Sequence, residues 1–369
     1  MREGWSKRSL GDVATIYNGN SINAEEKKKK YLGQTQGLPF IATKDVGNDG
    51  VIDYENGVRI PNYTDFKIAH PDSVFVCAEG GSAGKKVAFI EQKVCFGNKL
   101  FALQPKKALL NGRYLYYFVQ SQAFKEQFKQ LITGIIGGVS SKKFKEIPII
   151  LSPLPEQQRI VDILDREFAK INALKANAEK SLQAAKDLFQ ETLHRYYSGK
   201  NALLGDVLNL RRGHDLTHSE MKDGSIPVAG SGGIIGYHSI ATPISPCIAV
   251  GRSGSVGKVF VYETCWAHNT ILYVDDFKGN NPYYLVYLLK SLNLTSYGGG
   301  SAVPTLNRNV LHPLPVGYTS NKKEQATIVA CLDNLNDKCQ TLQDNYQKTL
   351  ALCDDLKQSL LRKAFNGEL

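Results

Sequence analysis

The stretch SPLPEQQRIVDIL, residues 152–164, decides how this chain is organised. A proline pair closes an irregular segment, and Glu-Gln then opens a run whose apolar residues return every three or four places, the signature of a helix start. A blurred copy, HPLPVGYTSNKKEQATIVACL, ends at Leu332. Sliding the sequence by 168 places lays Glu156 and Gln157 on Glu324 and Gln325, Leu164 on Leu332, Leu193 on Leu361 and Gly199 on Gly367. One ungapped register from residue 156 to residue 199 marks an internal duplication, and a duplication dictates architecture.

The segments ahead of each helix match more weakly. LGDVATIYNG (10–19) resembles LGDVLNLRRG (204–213), and GSAGK (81–85) resembles GSVGK (254–258). Cys77 and Cys95 stand eighteen apart, as do Cys247 and Cys265, and NGRYLYYFVQS (111–121) resembles NPYYLVYLLKS (281–291). The order is a globular unit over residues 1–151, a helix over 152–199, a second unit over 200–312 and a second helix over 313–369. The units read as mixed α/β, with short β-rich runs such as DSVFVCA and KVFVYE between glycine turns, and RYLYYFVQSQAFKEQFKQL as one amphipathic helix. In the first long helix Ile160, Leu164, Ile171, Leu174 and Leu182 fall on one stripe. In the second the stripe is Ile328, Leu332, Leu342, Tyr346, Leu350 and Leu356. Neither stripe is buried by its own unit, so the reading is an antiparallel coiled coil of two helices, each roughly 60 Å long at 1.5 Å per residue, with pseudo-two-fold symmetry. Gly199 and Gly367 sit where left-handed caps would end them.

Composition narrows the function. Lys and Arg outnumber Asp and Glu by 45 to 35, a net charge of +10 that favours a polyanionic partner, with nucleic acid the usual one. No apolar run reaches the roughly 20 residues of a membrane span and the N-terminus lacks an apolar signal core, so the expected location is the cytoplasm. Seven cysteines without a C-x-x-C pair argue against a disulfide framework and against a zinc site.

Catalytic signatures fail on inspection. GGSAGKK and GRSGSVGKV lack the first glycine and the final Ser or Thr of a nucleotide-binding loop. NNPY (280–283) has Asn281 where amino-group DNA methyltransferases carry a proline, and it reads as a turn that caps the next helix. Pro71-Asp72 with Glu91-Gln92-Lys93 matches a loose nuclease pattern that the second unit does not repeat. The expectation is a reader with no catalytic residue and no metal. Its base- and phosphate-contacting candidates are the loop residues Lys44, Lys85, Lys86, Asn98, Lys99, Lys142 and Lys143 in the first unit. The second unit offers Arg211, Arg212, His214, Arg252, Lys258, His268, Asn269 and Arg308. EEKKKK (25–30) reads as an exposed loop.

PLPEQQRIVDILD at the central helix, the closing KAFNGEL and LGDV at the head of each unit resemble, in this order, the DNA-specificity subunit of type I restriction-modification enzymes. The resemblance covers essentially the whole chain. It implies two target-recognition domains that each read one half of a split double-stranded DNA site, and a helical spacer that docks two methyltransferase subunits. The S-adenosylmethionine site belongs to those subunits, and ATP and Mg to restriction subunits that join the complex; this chain binds no cofactor. One departure stands out: VGYTSNKK separates the second PLP from its Glu-Gln, so a different start is expected for the second helix. The competing readings are a self-contained DNA methyltransferase or nuclease, and a coiled-coil protein scaffold.

Overall fold

The computed structural model describes residues 3–134, 137–299 and 304–369. The chain divides into two compact units, Met1–Asn177 with Thr349–Leu369, and Ala178–Lys348. Two long helices, Leu154–Tyr197 and Lys322–Asn366, contribute to both. They begin at positions related by the 168-residue shift, so the longer insert before the second helix leaves its start unmoved. The extra residues form a loop that ends in Asn321, whose side chain accepts from the Lys323 and Glu324 amides and caps the helix.

Both units are built on one topology. In the first, a four-stranded antiparallel sheet runs in the order Ala14–Asn18, Leu100–Pro105, Val74–Cys77, Val87–Phe89. In the second, the order is Asn209–Arg212, Ile271–Asp276, Cys247–Gly251, Val259–Tyr262. A smaller sheet accompanies each, built around a parallel pair: Leu38–Ile41 with Val94–Phe96, and Ile226–Gly230 with Trp266–Ala267. The central strands Val74–Cys77 and Cys247–Gly251 are buried throughout, which fits their continuous apolar runs.

The single amphipathic helix expected after residue 112 is two helices, Gly112–Gln120 and Gln122–Leu131. Ser121 breaks the run. Its backbone is extended, its hydroxyl donates back to the Phe118 carbonyl, and it accepts from the Phe124 amide as the cap of the second helix. Residues 25–30, expected as a loop, are helical, with Glu25–Lys29 and Glu26–Lys30 pairs one turn apart. Cys247 and Cys265 are joined by a disulfide, against the expectation of none. Cys77 and Cys95 remain separate buried thiols, and burial pushes Cys95 up to about 12.

Each unit grips its portion of the helices in the same way. Gln157 is fully buried in the first turn of its helix. Its carbonyl accepts from the Asn111 amide at 2.8 Å, and its amide donates to the Leu109 and Ser152 carbonyls at 2.9 and 2.7 Å. Gln325, equally buried, accepts from the Asn281 amide at 3.0 Å and donates to Asn280 Oδ1 and the Thr319 carbonyl at 2.9 and 2.7 Å. Asn111 and Asn281 in turn cap the helices Gly112–Gln120 and Pro282–Ser291, which is the capping role read for NNPY. Two turns further along, Asp165 accepts from the Tyr117 hydroxyl and Asp333 from that of Tyr287.

The helices pair antiparallel. In the first unit Lys357 donates to Asn172 at 2.6 Å and Lys175 reaches Asp354 at 3.0 Å; three places forward on one helix match three places back on the other. In the second unit the Tyr196 hydroxyl meets Cys331. Burial follows a heptad seam through Leu164, Phe168, Ile171, Lys175, Ala178, Leu182 and Ala185, and through Leu332, Cys339, Tyr346, Leu350, Cys353 and Lys357. Three residues assigned to the packed stripe are corrected. Leu174, Leu342 and Leu356 are 55%, 43% and 49% exposed. The phase set by Leu164, Phe168 and Ile171 puts Lys175 on the seam and leaves Leu174 one residue outside it, and the same offset applies to the other two. Gly367 takes the left-handed cap, at φ 76° with Glu368 N–H bonded to the Lys363 carbonyl. Gly199 does not. The Tyr197 carbonyl accepts instead from Gly317, and a Cβ at Gly199 would lie 3.2 Å from the Gly317 Cα.

Two predictions follow from this packing. Gln157→Leu leaves three polar partners unmatched and Gln325→Leu two, since Asn280 Oδ1 keeps the Tyr318 hydroxyl and Lys322, and each should lower the stability of its own unit by about 2–4 kcal/mol, read by urea denaturation. His312 accepts from the Leu210 amide at 3.0 Å, and burial, then the neighbouring Arg308 and Lys278, hold its pKa below the ordinary histidine value. The folded state therefore disfavours the imidazolium more than the unfolded chain does. Its contribution is complete above about pH 6.5 and is lost as pH falls through the folded pKa. The stability gap between wild type and His312→Leu should narrow below that pH in thermal melts.

Candidate nucleic-acid interface

In both units the strand that follows LGDV ends at the same rim of the sheet, and the loops after the central strands gather there. In the first unit Asn18 donates to the Asn98 carbonyl at 3.0 Å, Ala78 N–H to the Lys99 carbonyl at 2.8 Å, and Gly80 N–H to the Gly137 carbonyl at 2.7 Å. Lys99 pairs with Glu79 at 3.3 Å. Lys85 folds back on the Gly81 carbonyl, and Lys86 reaches the Thr43 carbonyl, next to exposed Lys44. Lys44, Lys85, Lys86, Asn98 and Lys99 thus share one rim, with an open cleft between Asn18, Asn98 and Gly134.

The second unit fills the same rim with different chemistry. His214 N–H bonds the Ala267 carbonyl, and its ring lies 5.5 Å from that of Trp266. Asp215 accepts from both Arg212 (3.1 Å) and the Asn269 side-chain amide. The Asn269 bond first, then the Arg212 charge, lower the pKa of this exposed carboxyl. Arg252 is tied by its amide to the Thr270 carbonyl at 2.9 Å, and Lys258 is exposed on the glycine turn behind it.

Five sequence candidates stand apart or are already occupied. Lys142 and Lys143 lie on the helix Ser141–Lys145, whose Lys145 packs over Gly11 at the far end of the strand Ala14–Asn18. Arg308 takes the corresponding place in the second unit, beside His312 over Gly205. The His268 ring is spent on its own loop and on the neighbouring one. Nε2 faces the Leu216 carbonyl at 3.2 Å, an acceptor only, so Nε2 carries the proton and Nδ1 accepts from the Thr270 hydroxyl at 3.0 Å. Arg211 is on the rim strand but leans to Asp275 at 3.8 Å.

Sequence reasoning missed Asp215, Glu79 and Thr270, which arrange the cations instead of adding charge. The acid within RRGHDL was the available signal for Asp215; nothing local marked Thr270, whose role depends on Ser231 donating to its hydroxyl across the fold. Among the described residues no cluster of three or more His, Cys, Asp or Glu could hold a metal ion, and no helix is long and apolar enough to cross a membrane.

Two copies of one α/β frame, each with a polar, cation-bearing rim, define a duplicated recognition protein. The type I restriction modification DNA specificity domain matches residues 2–184 and again 200–351, so the chain belongs to the family of type I restriction-modification specificity subunits. It is 22% identical to the EcoKI specificity subunit of Escherichia coli K12 across all of this chain and 90% of that protein. It is 24% identical to the StySPI specificity subunit of Salmonella potsdam, with the same coverage. Its fold is shared, at a TM-score of 0.80 and 16% identity over 100% and 99% of the two chains, by a chain solved in work on complex assembly and conformational transition of the type I R-M system. The HsdS subunit from Thermoanaerobacter tengcongensis aligns at a TM-score of 0.56 and 17% identity, over 100% and 98%.

Proposed function

We propose that this chain is the non-catalytic reader of a type I restriction-modification complex, each unit reading one half of a bipartite DNA target. One observation carries the reading: the same loops reach the same rim in both units, but with Asn18, Glu79 and Lys99 in one and Arg212, Asp215 and Arg252 in the other. A retained frame with exchanged rim residues is what two unlike half-sites require. Arginine suits guanine and asparagine suits adenine through paired hydrogen bonds, while lysines and loop amides position the phosphates. The continuous paired helices serve as the spacer between half-sites. Cofactor chemistry, with S-adenosylmethionine, ATP and Mg, lies in the partner subunits. The complex acts in the cytoplasm.

The exposed leucines favour two equal docking places for methyltransferase subunits. Leu174 and Leu356 in the first unit, and Leu188 and Leu342 in the second, occupy the same heptad flank, and in an antiparallel pair those flanks face the same side. Each unit thereby offers one apolar pair outside its seam.

Exchanging residues 200–312 for those of a relative should change one half of the methylated sequence in a host carrying the full complex. Methylome sequencing that found both halves altered would defeat the two-reader assignment. Leu188→Ser with Leu342→Ser should leave folding within about 0.5 kcal/mol per substitution. It should reduce the methyltransferase subunits in the assembled complex from two to one, measured by native mass spectrometry.

A further inference from the structure

The second unit carries an apolar surface that neither the sheet nor the cation rim explains. The strands Ile226–Gly230 and Gly233–His238 form an antiparallel ribbon closed by Ser231 and Gly232, and the second of them is the free edge of its sheet. On or just beyond that edge Ile234, Ile235, Tyr237 and Ile240 are 51%, 39%, 56% and 48% exposed. A free strand edge bearing large apolar side chains invites aggregation unless something covers it.

The ribbon is tied into the reading rim. Ser231 N–H donates to the Thr270 hydroxyl at 3.3 Å, and the Thr270 carbonyl holds the Arg252 amide at 2.9 Å. A Cβ placed on Gly251 would lie 2.0 Å from the Ser255 carbonyl oxygen and 3.2 Å from that of Ser231, so tip and turn are packed backbone to backbone. The apolar edge therefore continues directly from a surface carrying Arg212, Arg252 and Lys258, and what covers the one is expected to touch the other. That charge selects a polyanion.

We propose that this ribbon lies in the major groove of the second unit's half-site, with Ile234, Ile235 and Tyr237 reading thymine 5-methyl groups. The inference rests on the DNA-reading function proposed above and adds a recognition chemistry to it. A two-stranded ribbon fits the major groove, and the thymine methyl is the apolar group that base edges present there. A minor-groove wedge needs a bulky apolar residue at the point of entry. Here the tip is Ser231-Gly232, and the apolar residues line the side. Among the described residues the first unit shows no such ribbon: its edge strand Arg59–Ile60 carries a half-buried arginine and a fully buried isoleucine. Methyl reading is thereby confined to one half-site.

The test is a cycle of protein and DNA changes on the assembled complex, using a duplex that carries its methylome-defined site. Each thymine of the second unit's half-site is replaced singly by deoxyuridine, which removes only the methyl. For wild type, at least one replacement should weaken binding about fourfold, the value of one buried methyl-sized group. In Ile234→Ser/Ile235→Ser that replacement should have no further effect, whereas thymines of the other half-site should behave alike in both proteins. Tyr237→Ser provides a second, independent cycle if the double variant does not fold. Equal uracil penalties in wild type and variants, indifference of wild type to every replacement, or a half-site without thymine overturns the proposal. So does a variant that binds DNA normally but loses a methyltransferase subunit, which would make the ribbon a protein-docking edge. Absence of any site-specific binding by wild type would instead remove the reading function itself.

Discussion

A single buried side chain, repeated, holds this molecule together: the glutamine in the first turn of each long helix. Gln157 and Gln325 each pair with one amide and two acceptors at the junction of lobe and helix. The partners are backbone groups and the Asn280 side chain, so the bond set does not depend on what the lobe displays at its rim. A primary amide suits this role because it donates and accepts at once. Glutamate would leave carbonyls facing a carboxylate, and an apolar residue would bond none of them.

Because the lobe is anchored at its helix end, its opposite rim is free to vary. The strand Ala14–Asn18 begins beside the helix-facing cluster at Leu10 and Val13 and ends at the cleft; Asn209–Arg212 begins near His312 and ends at Asp215. Conserved chemistry lies at one end of each strand and divergent chemistry at the other. Exchange of asparagine and lysine for arginine, aspartate and histidine at the rim touches none of the hydrogen bonds made by the two glutamines, which is the physical condition for new specificity without loss of fold.

Much of this was legible in sequence because duplication and helical periodicity are long-range signals that survive local noise. The two long helices, their antiparallel pairing and the capping role of Asn281 could all be read. The seam phase could not be read correctly, since Leu174 and Lys175 are neighbours and apolarity alone chose the leucine. Lys175 sits on the seam because Asp354 meets its ammonium there. Ser121 was hidden for a related reason: a serine inside an amphipathic run looks tolerable until its hydroxyl is seen bonding the backbone. At the rim, proximity to loops selected the cations, but His268 looked available while both its ring nitrogens were already engaged. Disulfide formation between Cys247 and Cys265 depended on strand packing that spacing alone did not distinguish from the free pair Cys77 and Cys95.

The polar seam residues also answer a problem that apolar heptads create. A stripe of similar residues tolerates slips of whole heptads, so apolar packing alone does not hold the pair in one alignment. In the first unit a seven-residue slip would move Lys175 from Asp354 to Gln347 or Leu361, and would draw Lys357 away from Asn172. In the second unit the corresponding seam positions are Gln343 and Phe189, the latter packed against Tyr287 of its own lobe at 6.3 Å between ring centroids. Register is thus fixed by charge and amide pairing in one unit and by aromatic packing in the other. Ion pairs this exposed contribute little to stability, so their value lies in excluding alternative alignments. For a long helical pair that must keep one alignment, that exclusion matters more than additional stability.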